Sequence, residues 1–180
     1  MYFSRPGKEN ATAAAEAALQ AAKANGIGHI VVASVTGKSA ALLADKGYNV
    51  VCVTHANGFA EKGANEMPQE TRASLEAAGV RMLTTSHVLS GVERGLSGKF
   101  GGVSPAEIMA SALRMFGEGV KVCVEVSIMA LDAGLVPHGE KIIAIGGTGR
   151  GLDTALILTP AHAQHVLETR VHQVICKPEL

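Results

Sequence analysis

Short apolar runs rich in β-branched residues alternate with segments of helical spacing along most of the chain. Continuous apolar runs of this kind are typical of strands that are covered on both faces. The pattern predicts strands over residues 29–34, 49–54, 80–84, 141–145, 154–158 and 172–176, the last as an edge strand. It predicts a first helix that Asn10 or Thr12 caps and that ends at Ala24, and further helices over residues 38–46, 68–78, 105–116, 121–135 and 160–169. The alternation predicts one α/β domain over residues 1–180, a three-layer sandwich with a mostly parallel sheet and helices on both faces.

Two stretches are open to more than one interpretation. Residues 121–135 alternate as a strand would and also follow helical spacing, but their length and Gly134 favour a helix. Glu125 stands nearly alone among apolar neighbours there, either as a functional carboxylate or at the exposed edge of the helix. Residues 88–103 are Gly-rich and are predicted to form a functional loop, in which Phe100 either flanks a ligand or packs in the core.

The polar turn after the first predicted strand carries the clearest candidate chemistry. Thr36 and Ser39 offer hydroxyl donors, Gly37 lets the backbone come close to a ligand, and Lys38 supplies a positive charge. The free N–H groups at the start of the following helix favour an anion. The turn therefore predicts a phosphate site, with an ordinary capped strand-to-helix loop as the alternative. A P-loop is not predicted, because Val32 stands where that pattern requires glycine.

Two successive predicted strands end next to a hydroxyl residue and a histidine. Thr54 and His55 follow the second strand, and Ser86 and His87 follow the third. The carboxyl ends of parallel strands form the ligand crevice of open sheets, so these residues predict a polar rim at one edge. The alternative is that they only cap the helices that follow.

A Gly-rich loop follows the fourth predicted strand and contains Gly147, Thr148, Gly149 and Arg150. Its backbone donors and its guanidinium suit a phosphate or the polar edge of a heterocycle. A dinucleotide-binding fingerprint is not predicted, because Leu152 occupies a position that the spacing reserves for glycine. The alternative is a wide turn with Arg150 on the surface.

Composition narrows the class of protein. Lysine and arginine total 16, as do aspartate and glutamate, so bulk charge indicates neither a nucleic-acid nor a membrane partner. The three cysteines are far apart without a CxxC pair, which fits buried free thiols in a reducing cytoplasm. The N-terminus lacks an apolar signal segment, and we expect a cytoplasmic protein. The histidines share no metal-ligand spacing, so no metal site is predicted.

Three motifs resemble a known family. They are Tyr-Phe with Pro-Gly-Lys-Glu-Asn in residues 2–10, Val-Val-Ala-Ser with Thr-Gly-Lys-Ser-Ala in residues 31–40, and Gly-Gly-Thr-Gly-Arg-Gly with Asp-Thr-Ala in residues 146–155. They resemble the C-terminal α/β domain of pyruvate kinase and, more closely, the small stand-alone proteins named after that domain. The resemblance covers essentially the whole chain and implies that fold. The catalytic barrel has no counterpart here, so we do not expect pyruvate kinase activity.

The resemblance also implies a ligand. In pyruvate kinases the corresponding turn belongs to the regulatory sugar-phosphate site, whereas the stand-alone relatives resemble binders of flavin mononucleotide (FMN). An FMN phosphate would then lie on the turn and its ring near the polar rim and the Gly-rich loop. The implied contacts are Ser34, Thr36, Gly37, Lys38, Ser39 and Ala40 for the phosphate, and Thr54, His55, Ser86, His87, Gly147, Thr148, Gly149 and Arg150 for the ring, with Phe59 or Phe100 as the available stacking partner.

Three functions stay open on the sequence. The first expectation is a protein that binds a phosphorylated small molecule, FMN before others. The alternatives are a regulatory sensor of a sugar phosphate without flavin, and a flavin-dependent oxidoreductase with His55 or His87 as proton donor; Cys52 is not expected to take part. A homo-oligomer is also expected, because the Ala-rich first helix and residues 120–135 together exceed what one core hides.

Overall fold

In a computed structural model of the chain, which describes residues 1–149 and 151–179, seven strands form one sheet. The strands are β1 (Tyr2–Phe3), β2 (His29–Ala33), β3 (Asn49–Val53), β4 (Arg81–Leu83), β5 (Ile142–Gly146), β6 (Thr154–Thr159) and β7 (Arg170–Pro178). The α-helices of the same residues are α1 (Ala11–Asn25), α2 (Lys38–Ala41), α3 (Gln69–Ala77), α4 (Val92–Phe100), α5 (Pro105–Arg114) and α6 (Glu118–Asp132). Short 3₁₀ helices cover Lys8–Asn10 and Ala163–Glu168.

The sheet has the strand order β1-β7-β6-β5-β2-β3-β4. β2 pairs in parallel with β5 on one side and β3 on the other, and β4 continues the parallel set beside β3. β6 runs antiparallel to both of its neighbours. The predicted mostly parallel α/β sheet is confirmed, and the carboxyl ends of β2 to β5 all lie at one edge.

Alanines bring α1 close to one face of the sheet. Ala14, Ala18 and Ala22 are fully buried and follow the spacing of a single helical stripe. They pack in one core with Ile30, Val32 and other side chains from the same face of the strands. Because alanine is small, the helix can approach the sheet closely, and this face of α1 is covered by the chain itself.

The opposite face of the sheet is covered by α6, which settles the ambiguous stretch as a helix. Twelve of its fifteen residues are buried. Cys123 and Ile128 pack in a second core with Val31 and Ala144, which point to this side of the sheet. Helices therefore lie on both faces, as the three-layer prediction requires. No helix among the described residues is long and apolar enough to cross a membrane.

Three elements differ from the sequence prediction. The helix predicted over residues 38–46 is regular only over α2, after which the chain continues in turns and Asp45 adopts a left-handed φ of 55°. The stretch predicted as a functional loop, residues 88–103, contains α4, which buries none of its residues. The strand predicted over residues 172–176 is not an edge strand, because Tyr2 and Phe3 form β1 and pair with the end of β7. Helical spacing and glycine content do not by themselves determine whether a short segment forms a helix, a turn or a strand.

Candidate functional site

A cavity of about 860 Å³ lies at the edge of the sheet where β2, β3 and β5 end. This volume is within the range of roughly 300–1,000 Å³ that small-molecule sites occupy. One side, the α1–α2 wall, is formed by Lys8, Ala11, Thr12, Thr36, Lys38, Ser39 and Leu42; the facing side, the α4–α6 wall, is formed by Arg94, Arg114, Glu118, Lys121, Val122, Glu125 and Val126. The remaining lining residues, mainly strand ends and the loops that follow them, are Ala33, Ser34, Val35, Val53, Thr54, His55, Phe59, His87, Ser90, Gly147, Gly149, Gly151 and Leu152.

The predicted phosphate turn lies on the α1–α2 wall. Ser34 is buried and its N–H donates to the carbonyl of Val53, which ties the start of the turn to β3. Gly37 adopts a φ of 87°, and a Cβ at this position would lie 2.5 Å from Cγ2 of Thr71. Both the positive φ and the lack of space for a Cβ therefore require glycine at this position. The turn that glycine permits brings Lys38 and Ser39 into the lining of the cavity.

Two long helices begin at the cavity. Ala11 and Thr12, from the first turn of α1, line one side, and Glu118, the first residue of α6, lines the other. The partial positive charge of each helix N-terminus is thus close to the cavity. Lys8 adds a full charge immediately before α1. These features favour an anionic ligand.

Three rings form a cluster at the cavity. The ring centroids of His55 and Phe59 are 3.8 Å apart with the planes 31° from parallel, and His87 lies 5.5 Å from each of them. All three residues line the cavity. The cluster offers flat, partly apolar surface against which a planar group can pack.

Hydrogen bonds fix the two strand ends that carry the histidines. Nδ1 of His55 lies 2.6 Å from Oε2 of Glu66. The hydroxyls of Thr54 and Thr84 are 2.7 Å apart, and Arg72 donates to that of Thr84 at 2.7 Å. The ends of β3 and β4 are therefore held together beneath the ring cluster.

His87 is held mainly in its neutral form. Burial lowers the pKa of His87 below its ordinary value of 6.5, Glu125 opposes the shift, and His55 and Lys121 add to it. A neutral imidazole can donate from one ring nitrogen and accept at the other. His87 is thus able to bind either a donor or an acceptor on a ligand at neutral pH.

A buried ion pair stands on the α4–α6 wall. Lys121 and Glu125, one turn apart on α6, are each 4% exposed, and Nζ of Lys121 donates to Oε2 of Glu125. Oε1 of Glu125 accepts from the N–H of Leu89 at 2.9 Å and from Oγ of Ser90 at 3.3 Å. Glu125 is therefore not at the exposed edge of its helix. It joins α6 to the segment that carries His87.

The Gly-rich loop approaches α6 closely. A Cβ at Gly119 would lie 2.1 Å from Oγ1 of Thr154 and 3.2 Å from Cα of Gly147, so only glycine fits at this contact. The buried carboxylate of Asp153 accepts from the N–H groups of Gly7 at 3.1 Å and Thr148 at 3.3 Å. Asp153 thereby holds both the loop and the segment before Lys8 at the cavity.

Nine of the sequence-predicted site residues line this cavity. They are Ser34, Thr36, Lys38, Ser39, Thr54, His55, His87, Gly147 and Gly149. Four are not among the lining residues: Gly37 and Ala40 are buried, Ser86 is exposed, and Thr148 is a half-buried residue of the Gly-rich loop. Arg150 lies outside the described residues.

Several lining residues were missed by the sequence analysis. Arg94, Arg114 and Lys121 come from helices that carry no recognisable motif. The spacing of Lys121 and Glu125, four residues apart in an apolar helix, was the one available signal, since such a pair is expected to face the same way. Phe100, considered as a stacking partner, is 74% exposed and does not line the cavity, whereas Phe59 does.

The three cysteines are free and buried, as expected for Cys52 and Cys123. Burial raises the pKa of Cys52 to about 12, and it raises the pKa of Cys123 well above its usual range. Protonated thiols are poor nucleophiles, and none of the three lines the cavity. Among the described residues, no cluster of three or more potential metal ligands is present.

The fold and the cavity define the chain as an α/β domain with a crevice at the carboxyl edge of its parallel strands. Residues 12–158 match the family model described as "Pyruvate kinase, alpha/beta domain". The chain belongs to this family. The resemblance seen in the sequence motifs is thereby confirmed at the level of family and fold.

Two solved structures illustrate the likeness. A pyruvate kinase from Cryptosporidium parvum is 17% identical, with a TM-score of 0.45 over 84% of this chain and 23% of that one. The Cryptosporidium parvum pyruvate kinase in complex with ADP is also 17% identical, with a TM-score of 0.42 over 82% of this chain and 22% of that one. The chain thus spans less than a quarter of the length of these pyruvate kinases.

Proposed function

We propose that the cavity binds a phosphorylated small molecule and that this molecule is FMN. The observation that carries the proposal is the joining, in one cavity of about 860 Å³, of a cationic Gly-containing turn with a cluster of rings. A flavin nucleotide presents the same two features, a phosphate and a planar heterocycle. The residues therefore fit the group that the family resemblance implied.

The α1–α2 wall supplies the phosphate contacts of this proposal. Lys38 and Lys8 bring positive charge, and Thr36 and Ser39 bring hydroxyl donors. Among the described residues, no carboxylate lies within ion-pair distance of either lysine. Both charges are therefore available to an anion.

The ring cluster and the apolar lining suit the heterocycle. Phe59, His55 and His87 offer aromatic surface, while Val53 and Leu152 offer aliphatic surface. The Gly-rich loop adds backbone groups at Gly147 and Gly149 for a polar ring edge. A bound flavin would supply hydride and single-electron transfer, and the chain's part would be to hold and orient it.

The first experiment is an absorbance spectrum of the purified protein, followed by mass spectrometry of whatever heat releases. Flavin absorbance bands together with the mass of FMN would support the proposal. A colourless preparation is then titrated with FMN and, in parallel, with a sugar bisphosphate. Failure to bind FMN, with or without sugar bisphosphate binding, would overturn the flavin assignment; binding of the sugar bisphosphate alone would favour the regulatory sensor.

A paired substitution tests which residues hold the phosphate. Lys38→Ala with Ser39→Ala is expected to weaken FMN binding by at least about tenfold, because it removes a charge-assisted hydrogen bond and a hydroxyl donor. The matched control is Lys46→Ala with Ser74→Ala, two exposed residues outside the cavity, which should leave the dissociation constant unchanged. Equal affinity in both double variants would mean that the turn does not bind the phosphate.

Catalysis is a separate question with its own readout. If the FMN-loaded protein is an oxidoreductase, a nicotinamide nucleotide should bleach the flavin absorbance on mixing, and His87→Gln or His55→Gln should slow later proton-dependent turnover. If the bound flavin is not reduced by NADH or NADPH, a nicotinamide-dependent oxidoreductase is ruled out and the binding function stands.

A further inference from the structure

A second, smaller cavity of about 220 Å³ opens beside the first. It is lined by Leu89, Ser90, Arg94, Glu107, Ala110, Ser111 and Arg114. Three of these, Ser90, Arg94 and Arg114, also line the main cavity, so the two spaces adjoin. At this size the second cavity is smaller than a typical small-molecule site and suits a single functional group rather than a whole nucleotide.

The second cavity is lined by two guanidinium groups, those of Arg94 and Arg114. Among the described residues, no carboxylate lies within ion-pair distance of Arg94. Nε of Arg114 donates to Oε2 of Glu118 at 2.7 Å, and no described protein acceptor is within hydrogen-bond distance of its two terminal nitrogens. Both guanidinium groups therefore have N–H groups that are available to a ligand. The planar pair of N–H donors of an arginine matches the two oxygens of a carboxylate or a phosphate.

The carboxylate of Glu107 also lines this cavity, and both of its oxygens accept hydrogen bonds from groups other than the arginines. Oε2 of Glu107 accepts from the N–H of Ser104 at 2.9 Å, completing the capping box of α5, and Oε1 accepts from Oγ of Ser97 at 2.7 Å. The backbone N–H of Ser104 is the main reason that the pKa of Glu107 is lowered, and Arg94 contributes least. The hydroxyls of Ser90 and Ser111 lie in the same lining as the two arginines, so an acidic group there would meet several hydrogen-bond donors.

The second set of cations is separate from the phosphate turn. Lys38 stands on the face of the sheet that α1 and α2 cover, whereas α5 packs on α6, which covers the opposite face. The ring cluster lies at the strand ends between these two walls. A ligand whose phosphate is held at Lys38 thus leaves Arg94 and Arg114 for another acidic group.

We propose that Arg94 and Arg114, with Ser90 and Ser111, form a second anion subsite that binds the carboxylate or phosphate of a second small molecule next to the first ligand. This rests on the proposed function in taking the turn at Lys38 as the first anion site. The proposed subsite also implies a substrate class: the second small molecule is acidic and binds at the α4–α6 wall.

The test uses the full-length chain, uniformly labelled with ¹⁵N, and two probes, inorganic phosphate and acetate. Amide shifts are followed during titration at constant ionic strength. We expect two separable saturating responses, one at residues 36–40 and one around Ser90, Arg94 and Ser111. Phosphate saturating the second set assigns a phosphate group to the subsite, and acetate saturating it instead assigns a carboxylate.

Matched variants assign each response. Arg94→Gln should weaken the second response by about tenfold or more and leave the first unchanged, while Lys38→Met should do the reverse. Lys99→Gln, in the same exposed helix as Arg94 but outside both cavities, should change neither.

The two proposals can fail independently in this experiment. A second response that persists in Arg94→Gln, or one that never saturates with either probe, would overturn the subsite. A second response without any response at residues 36–40 would count against the phosphate turn and leave the subsite standing.

Discussion

The two walls of the cavity are built in different ways. The α1–α2 wall contributes its chemistry from one short turn, in which Thr36, Lys38 and Ser39 are almost adjacent in sequence. The α4–α6 wall collects Arg94, Arg114 and Lys121 from three helices. Chemistry that depends on neighbouring residues can be recognised in a sequence, whereas chemistry assembled by packing depends on the tertiary structure.

The walls also differ in how binding and stability are linked. Lys38 is exposed and makes no ion pair with a described residue, so its replacement should alter ligand affinity while the free energy of unfolding stays within about 0.5 kcal/mol. Lys121 and Glu125 are buried against the core, so the same wall that faces the ligand also supports the fold. Substitutions on the α1–α2 wall should therefore change mainly ligand affinity, whereas those on the α4–α6 wall should also change stability.

The largest effect is expected when the buried ion pair is broken. Glu125→Gln keeps an amide oxygen that can accept from the N–H of Leu89, but it leaves the charge of Lys121 buried without a partner. We expect a loss of about 3–5 kcal/mol in the free energy of unfolding, measured by urea denaturation. Lys121→Met combined with Glu125→Gln should recover most of that loss. A single variant within about 0.5 kcal/mol of the wild type would mean that the pair does not stabilise this wall.

A smaller effect is expected where α6 meets the Gly-rich loop. Gly119→Ala would place a methyl group 2.1 Å from Oγ1 of Thr154, so the helix must move away from β6. We expect the free energy of unfolding to fall by about 1–3 kcal/mol because the contact is overpacked, and we expect ligand binding to weaken. Gly95→Ala in α4 is the matched control, because nothing lies within 4 Å of its added Cβ. It should stabilise the protein by about 0.5–1 kcal/mol through helix propensity. Equal unfolding midpoints for the two variants would contradict the close contact.

The smallest effect is a dependence of stability on pH that arises from His87. Its pKa is lowered in the folded chain, chiefly by burial, so below about pH 6.5 the unfolded chain binds more protons than the folded chain. The contribution of His87 to the free energy of unfolding is therefore fully present above pH 6.5. It falls as the pH drops below that value, by no more than about 1.4 kcal/mol per pH unit for one proton. Denaturation at pH 7.5 and 5.5 should show a smaller difference for His87→Gln than for the wild type.

The matched control for this pH dependence is His165→Gln, whose side chain is 58% exposed and lies outside the cavity. It should keep the wild-type difference between the two pH values. If His87→Gln also keeps it, the loss of stability at low pH arises from other groups.

Much of the fold was predictable because it follows from local periodicity. The apolar runs at β2, β3 and β5 and the Ala stripe of α1 correspond to elements found in the structure. The helix predicted from residue 105 begins there as α5, where Ser104 and Glu107 form a capping box. The prediction was less accurate for α2 and α4, because short polar or Gly-rich segments carry little periodicity and their conformation depends on the contacts around them.

The sequence by itself determined the alternation of strands and helices, the family motifs and the cationic turn at Lys38, because each depends on residues a few positions apart. Only the tertiary structure decided that His55, Phe59 and His87 form one cluster, that Glu125 is buried with Lys121, and that two arginines adjoin the same cavity. The physical reason for this difference is the distance along the sequence over which each kind of interaction acts. Hydrogen bonding and side-chain periodicity act within a segment, whereas a binding cavity is formed where segments that are distant in sequence pack at the edge of one sheet.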